Sequence, residues 1–346
     1  MISPFVGRAA DSPGSKSVVV AGMLLTAAGL VALGFVQREI ELYLAWSLLV
    51  SVGVAAGFTV ALDKLVISAS RERRGMALAV RFSVAAIVAT LLVPCVTILV
   101  EMVGWRNTCF IWAAVVIALL PIPLTFEPAS ARDAAAPQRP SSPRVFRTVA
   151  RHRAFWLIAF AFMAQAAVVT GLSVHLVPLI TDGGIEAPIA GAIFGGMILL
   201  SIPARLATGH IADKAQANLL PMLLAGLFAV EALAIGSYAA FPGYPTMLVL
   251  IVAQGIGAGA PTLVVLLICA HMFGEEDFGS VQGLLMFFQV PGTALAPIVA
   301  GLAYDWFGDY RGATGLFAGL LLAAALAMAL VRLPPTRIQL GQSAAR

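Results

Sequence analysis

Ten apolar runs, each long enough to cross a bilayer, leave this chain few folds to choose from. They cover roughly 18–36, 42–68, 76–100, 107–124, 154–180, 187–207, 218–240, 246–271, 280–303 and 313–331. Hydrophobic residues make up 60% of the chain and charged residues 11%, against about 45–50% and about 25% in a soluble domain. So much apolar surface cannot be hidden from water, so the solvent is lipid. In lipid every backbone N–H and C=O must be satisfied internally, which makes the runs helices. The expected class is therefore an all-α integral membrane protein. The one long connection, residues 127–153, holds Pro137, Pro140 and Pro143 with Ser141, Ser142 and six arginines, which is a linker composition. It divides the chain into a four-span bundle (1–126) and a six-span bundle (154–346).

Basic residues orient the spans. With the N-terminus inside and loops alternating, sixteen Lys and Arg fall on the cytoplasmic side and three (Arg38, Arg106, Arg311) outside. That split follows the positive-inside rule. It places both termini in the cytoplasm and accounts for the net charge of +4 without nucleic acid. A cleaved signal peptide is not expected, because the first apolar run begins only near Ser17 and then reaches spanning length. Cys95, Cys109 and Cys269 form no CxxC pair, and His152, His175, His210 and His271 have no metal-ligand spacing. No metal and no cofactor are expected. Gly255-Ile256-Gly257-Ala258-Gly259 lies inside an apolar span with no strand before it, so it is no nucleotide loop. It permits close helix packing instead, and Pro261 should bend that span.

An internal duplication carries the argument further. Gly7-x-x-x-Asp11 returns as Gly209-x-x-x-Asp213, offset by 202. Gly75 returns as Gly279, offset by 204, and Arg106 of Gly104-Trp105-Arg106 returns as Arg311 of Asp309-Tyr310-Arg311, offset by 205. In the second copy two spans precede Asp213 and four follow it; in the first, four follow Asp11 and none precedes it. Symmetry thus calls for two further helices before Met1.

The stretch Gly7-Arg8-Ala9-Ala10-Asp11-Ser12-Pro13-Gly14-Ser15-Lys16 resembles the loop signature of the major facilitator superfamily, and Arg205 to Lys214 resembles its second copy. Arg74-Gly75-Met76-Ala77-Leu78, Gly104-Trp105-Arg106, Val174-His175-Leu176-Val177-Pro178 and Ala300-Gly301-Leu302-Ala303-Tyr304-Asp305 are similar to the branch of monocarboxylate and oxalate/formate transporters. The resemblance implies ten of the usual twelve helices, the third to the twelfth, in two pseudo-symmetric bundles. It further implies alternating access around a midplane site, with Gly7, Arg8, Asp11, Gly14, Lys16, Gly209 and Asp213 in the gating loops. A carboxylate at Asp11 can face the positive end of a neighbouring helix.

Ionisable and polar groups within spans are the substrate or proton candidates. Asp63 precedes the Arg71–Gly75 turn by about two helical turns and Arg81 follows it by about as many, so both stand at one depth and can pair. A structural pair and a binding role are both open. Arg205 occupies the cation of the branch's Asp-x-x-x-Arg, but the acid is replaced in Ser201-Ile202-Pro203-Ala204-Arg205. The resemblance places His175 beside the cavity, with packing inside the bundle as the alternative, and Gln254 is a polar group in an apolar run that needs a partner. Gln165 and Gln289 need partners, and Glu231 is expected to have a local structural one.

The function expected is secondary active transport of a small organic anion such as a monocarboxylate, possible protons included, by a monomer in a bacterial inner membrane. The alternatives are a truncated, non-transporting fragment, a carrier of drugs or sugars, or a ten-helix transporter of five plus five. No enzyme motif is present.

Overall fold

The computed structural model describes residues 4–5, 7, 15–70, 72–125, 149–274 and 277–333. Among them ten helical stretches are long and apolar enough to cross a membrane. Helix α1 is Ser15–Gly34 and α2 is Glu39–Ala69. A single helical run, Arg74–Ala118, supplies α3 and α4. Its 45 residues would reach about 67 Å if straight, twice the hydrocarbon thickness. The chain reverses at Gly104, whose φ of 79° a side chain would resist, giving α3 (74–103) and α4 (105–118). The remaining spans are α5 (Arg153–Asp182), α6 (Ala187–Lys214), α7 (Leu220–Ala240), α8 (Tyr244–Phe273), α9 (Phe278–Phe307) and α10 (Arg311–Ala329).

Two helices depart from regular α geometry. In α2, Ala45–Val50 and Ala55–Val60 wind as π-helix. Gly53 and Gly57 press this helix onto α1: a Cβ on Gly57 would stand 2.9 Å from the Met23 nitrogen. Such small residues let two backbones approach where lipid gives no hydrophobic drive. Helix α8 is broken into Tyr244–Gly257 and Ala260–Phe273. The bend expected from Pro261 is a full interruption. Proline has no N–H to offer residue 257, and its ring obstructs that carbonyl, so the Gly257 C=O leaves the helical ladder.

The duplication is visible in contacts as well as in sequence. Gly308, 204 residues after Gly104, turns the α9–α10 corner with a φ of 72°. Arg106 donates from Nη2 to the Val36 carbonyl at 2.9 Å, and Arg311 donates from Nε to the Ala239 carbonyl at 3.1 Å. Both bonds tie the turn after Gly104 or Gly308 to the end of the helix that follows the repeated Gly-x-x-x-Asp loop, α1 or α7.

Helices α5 to α10 share one continuous apolar core, with Phe155, Leu172, Leu176, Phe228 and Phe278 wholly buried. Helices α1 to α4 hold two smaller clusters, around Met23 and Ala61 and around Leu33 and Val50. The two groups meet where α6 and the second half of α8 pack on α3, and where α9 packs on the end of α2. Every loop carrying the basic clusters described here lies at that end of the molecule, termed below the basic end.

Candidate functional site

The junction between the two groups is built from reciprocal glycine contacts. Gly209 of α6 lies against Gly75 at the start of α3: a Cβ on Gly209 would sit 2.6 Å from the Gly75 oxygen. The equivalent residues with roles exchanged, Gly7 and Gly279, touch in the same way, and a Cβ on Gly7 would overlap the Gly279 carbonyl. Each repeat therefore presses its loop glycine onto the helix start of the other, as a two-fold relation requires.

A carboxylate completes the first of these contacts. The backbone N–H of Gly75 donates to Asp213 Oδ1 at 2.6 Å, and that of Met76 to Oδ2 at 2.9 Å. These amides belong to the first turn of α3, where N–H groups have no partner in the helix and the dipole favours negative charge. Asp213 thus caps a helix of the opposite bundle. Arg8, Asp11 and Gly14 lie outside the described residues. Lys16 donates to the Leu124 carbonyl at 2.6 Å, tying the start of α1 to the chain beyond α4.

Deeper in the junction, the depth argument for Asp63 and Arg81 is met by an ion pair. Arg81 Nη1 lies 3.3 Å from Asp63 Oδ1, close enough for charge attraction without hydrogen-bond alignment. The other guanidinium nitrogen donates to the Phe58 carbonyl at 2.5 Å, and the group stacks over the Phe82 ring. Asp63 Oδ2 accepts from Gln282 Nε2 at 2.6 Å. Gln282 is in α9, so Asp63 is bound by one residue of its own bundle and one of the other. Gln282 carries no sequence signal: a glutamine four residues into a helix is ordinary, and its partner is 219 positions away.

Arg205 also crosses the junction. Its Nη1 donates to the Phe82 carbonyl of α3 at 3.0 Å, and its stem and Nε lie against Gly259, in the break of α8. Nε itself has no hydrogen-bond partner, and among the described residues no carboxylate pairs with the group. Arg205 is thus a half-buried guanidinium at the bundle boundary with one donor, Nε, left unused against the backbone of Gly259.

His175 and Gln254 stand apart from the junction, inside the six-helix group. The two ring nitrogens of His175 meet the Tyr310 hydroxyl at 3.2 Å and the Pro297 carbonyl at 2.9 Å. The ring here links α5, α9 and the corner before α10. Gln254 is buried and donates to the Val169 carbonyl at a long 3.4 Å. The structure therefore brings Asp63, Arg81, Arg205, Gly209 and Asp213 together at one boundary and leaves His175 and Gln254 off it.

The comparisons with known proteins agree with this geometry. The profile of the Major Facilitator Superfamily matches residues 1–233 and, again, 221–345. Monocarboxylate transporter 11 of Mus musculus is 28% identical over 305 residues, 86% of this chain and 68% of that protein. Its Homo sapiens counterpart is 27% identical over 323 residues, 90% and 67%. Among solved structures, the E. coli fucose:proton symporter superposes with a TM-score of 0.74 at 15% identity, over 95% of this chain and 87% of that one. The human organic anion transporter TETRAN gives 0.74 at 16% identity, over 94% and 80%. Ten membrane-length helices, a duplicated unit with reciprocal helix-end contacts and a family match over nearly every residue lead to one assignment: the chain is an integral membrane protein of the Major Facilitator Superfamily of transporters.

Proposed function

We propose that the chain is a secondary transporter that carries a small organic anion, of the monocarboxylate kind, by rocking its two bundles about the junction. The basic end is the cytoplasmic one, both termini lie there, and the protein acts as a monomer in a cell membrane. Contacts such as Asp213 on the first turn of α3 belong to the state closed at that end. They break in the opposite state, so their strength sets how the two states are populated.

The observation that carries the anion is Arg205. It sits where α3, α6 and α8 meet, spends one donor on Phe82, and among the described residues no acid pairs with it. Arg81, deeper in the same junction, is already committed to Asp63 and Phe58. The relatives named monocarboxylate transporters support the same class.

Uptake of a panel of labelled monocarboxylates and neutral solutes into proteoliposomes containing the full chain tests this reading. At least one acid should be taken up, Arg205→Gln should abolish that uptake, and Arg205→Lys should retain part of it, since the charge survives and the planar fork does not. Uptake of a neutral solute with no acid transported, or unchanged acid uptake by Arg205→Gln, would overturn it.

A further inference from the structure

The six-helix group contains a carboxylate that the junction does not use. Glu231 lies near the middle of α7, 2% exposed, and neither of its oxygens accepts a hydrogen bond. It is packed directly on Gly257, the last residue before the break in α8: a Cβ built there would collide with the carboxylate. The amide of Gln165, from α5, lies beside it, but one of that amide's two N–H groups is spent on the Gly257 carbonyl at 2.6 Å, and its own oxygen is unpartnered. That carbonyl is free to accept because Pro261 cannot reach back to it. Proline, glycine and glutamine thus act together, and the one amide beside Glu231 is shared with the Gly257 carbonyl.

The surroundings offer no counter-charge. Helix α10, which packs along α7, has no titratable side chain from Gly312 to Ala329. The turn Ala217–Leu219 has none, α7 itself carries only Tyr238, and α8 carries Tyr244, Cys269 and His271 away from the break. Arg205 is the charged side chain at the break, but it lies against Gly259 and makes no ion pair with Glu231. A carboxylate anion buried in a lipid-embedded bundle with no cation and at most one shared amide donor is costly; a positive partner relieves it. A metal ion would need several further oxygens, and no cluster of three or more acidic, histidine or cysteine ligands exists among the described residues. A proton needs only the carboxylate.

We propose that Glu231, at the break of α8, is a proton-carrying site of the six-helix bundle, loaded in the state seen here. An O–H bond forms on one Glu231 oxygen as an O–H bond of hydronium breaks and leaves water, and the hydroxyl so formed supplies a donor beside the unpartnered Gln165 oxygen. The break connects this site to the junction, because the same Gly257–Gly259 segment that receives Glu231 on one side receives Arg205 on the other. Parting the bundles removes the Phe82 partner of Arg205, loosens that segment and admits water to release the proton. Only this coupling rests on the transporter reading; the protonation does not.

Infrared difference spectroscopy on the full chain in lipid vesicles, with no substrate present, tests the site. Acid-to-alkaline titration should show a protonated-carboxyl C=O band that disappears with rising pH. The band should shift when glutamate is carboxyl-labelled with carbon-13, which separates Glu231 from Asp63 in the unaltered chain, since Glu231 is the one buried glutamate among the described residues. It should be missing from Glu231→Gln, and Gly257→Ala, which displaces the carboxylate, should move it. A band insensitive to glutamate labelling, one retained in Glu231→Gln, or one that never titrates would overturn the proposal. Because no transport is measured, its failure is distinct from that of the anion reading.

Discussion

The two buried carboxylates among the described residues, Asp63 and Glu231, are almost equally hidden, at 1% and 2% exposure, yet they are held in opposite ways. Asp63 lies on the boundary between bundles and has an arginine, a glutamine and the depth match of adjacent helices to hold it. Glu231 lies within one bundle and faces a glycine, a shared glutamine amide and apolar helices. In a bundle surrounded by lipid, burial alone does not fix the state of an acid; the donors within reach do. A charge is kept where helices of two bundles can bring an arginine and an amide to it, and a proton is the remaining partner where they cannot.

The contrast can be broken most forcefully at Arg81. Replacing it by Gln strands Asp63 as an uncompensated charge, which should cost about 3–5 kcal/mol. A large fall in the unfolding midpoint of the detergent-solubilised chain is the expected result, and adding Asp63→Asn should restore most of it. A double variant as damaged as the single one would show that the pair is not what holds Asp63. A smaller effect is expected at Asp213→Asn, which keeps the shape of the cap but removes its charge, weakening the closed state by about 0.5–2 kcal/mol. In a background without Cys95, Cys109 and Cys269, a thiol at Thr208→Cys, now buried beside Gly209, should then react faster with a water-soluble reagent; an unchanged rate would mean that the cap does not govern closure. The least effect on stability belongs to Glu231→Gln. If the acid is already neutral, the amide replaces it at a change within about 1 kcal/mol. A loss as large as that of Arg81→Gln would make Glu231 a paired anion like Asp63 and erase the difference between them.

Much of this arrangement was legible beforehand, for reasons that are local. Ten spans follow from hydropathy, and the corner at Gly104 follows from its place after an apolar run of bilayer length. The Asp63–Arg81 pair follows from counting residues away from one turn, because the helix rise converts sequence distance into depth. Gln282 was not legible: its role depends on α9 arriving beside α2, a contact set by the packing of the two bundles. Nor was the isolation of Glu231. The break of α8 is announced by Pro261 and its glycines, but that Gln165 would spend a donor on the freed carbonyl required knowing which face of α5 meets the break. His175 shows the same limit from the other side, a histidine within a span whose two ring nitrogens are both occupied only because Tyr310 and Pro297 arrive beside it.

The sequence by itself determined the lipid-embedded helical class, the number and rough limits of the spans, and the repeat whose two copies meet at Gly75–Gly209 and Gly7–Gly279. These follow from short-range quantities, the free energy of putting each side chain in hydrocarbon and the torsional preferences of glycine and proline. The tertiary structure alone decided which buried polar groups are paired, which carbonyl is free and where Arg205 sits between the bundles. Hydrogen bonds and ion pairs act over a few ångströms, so partners more than a hundred residues apart are chosen only when helices have packed.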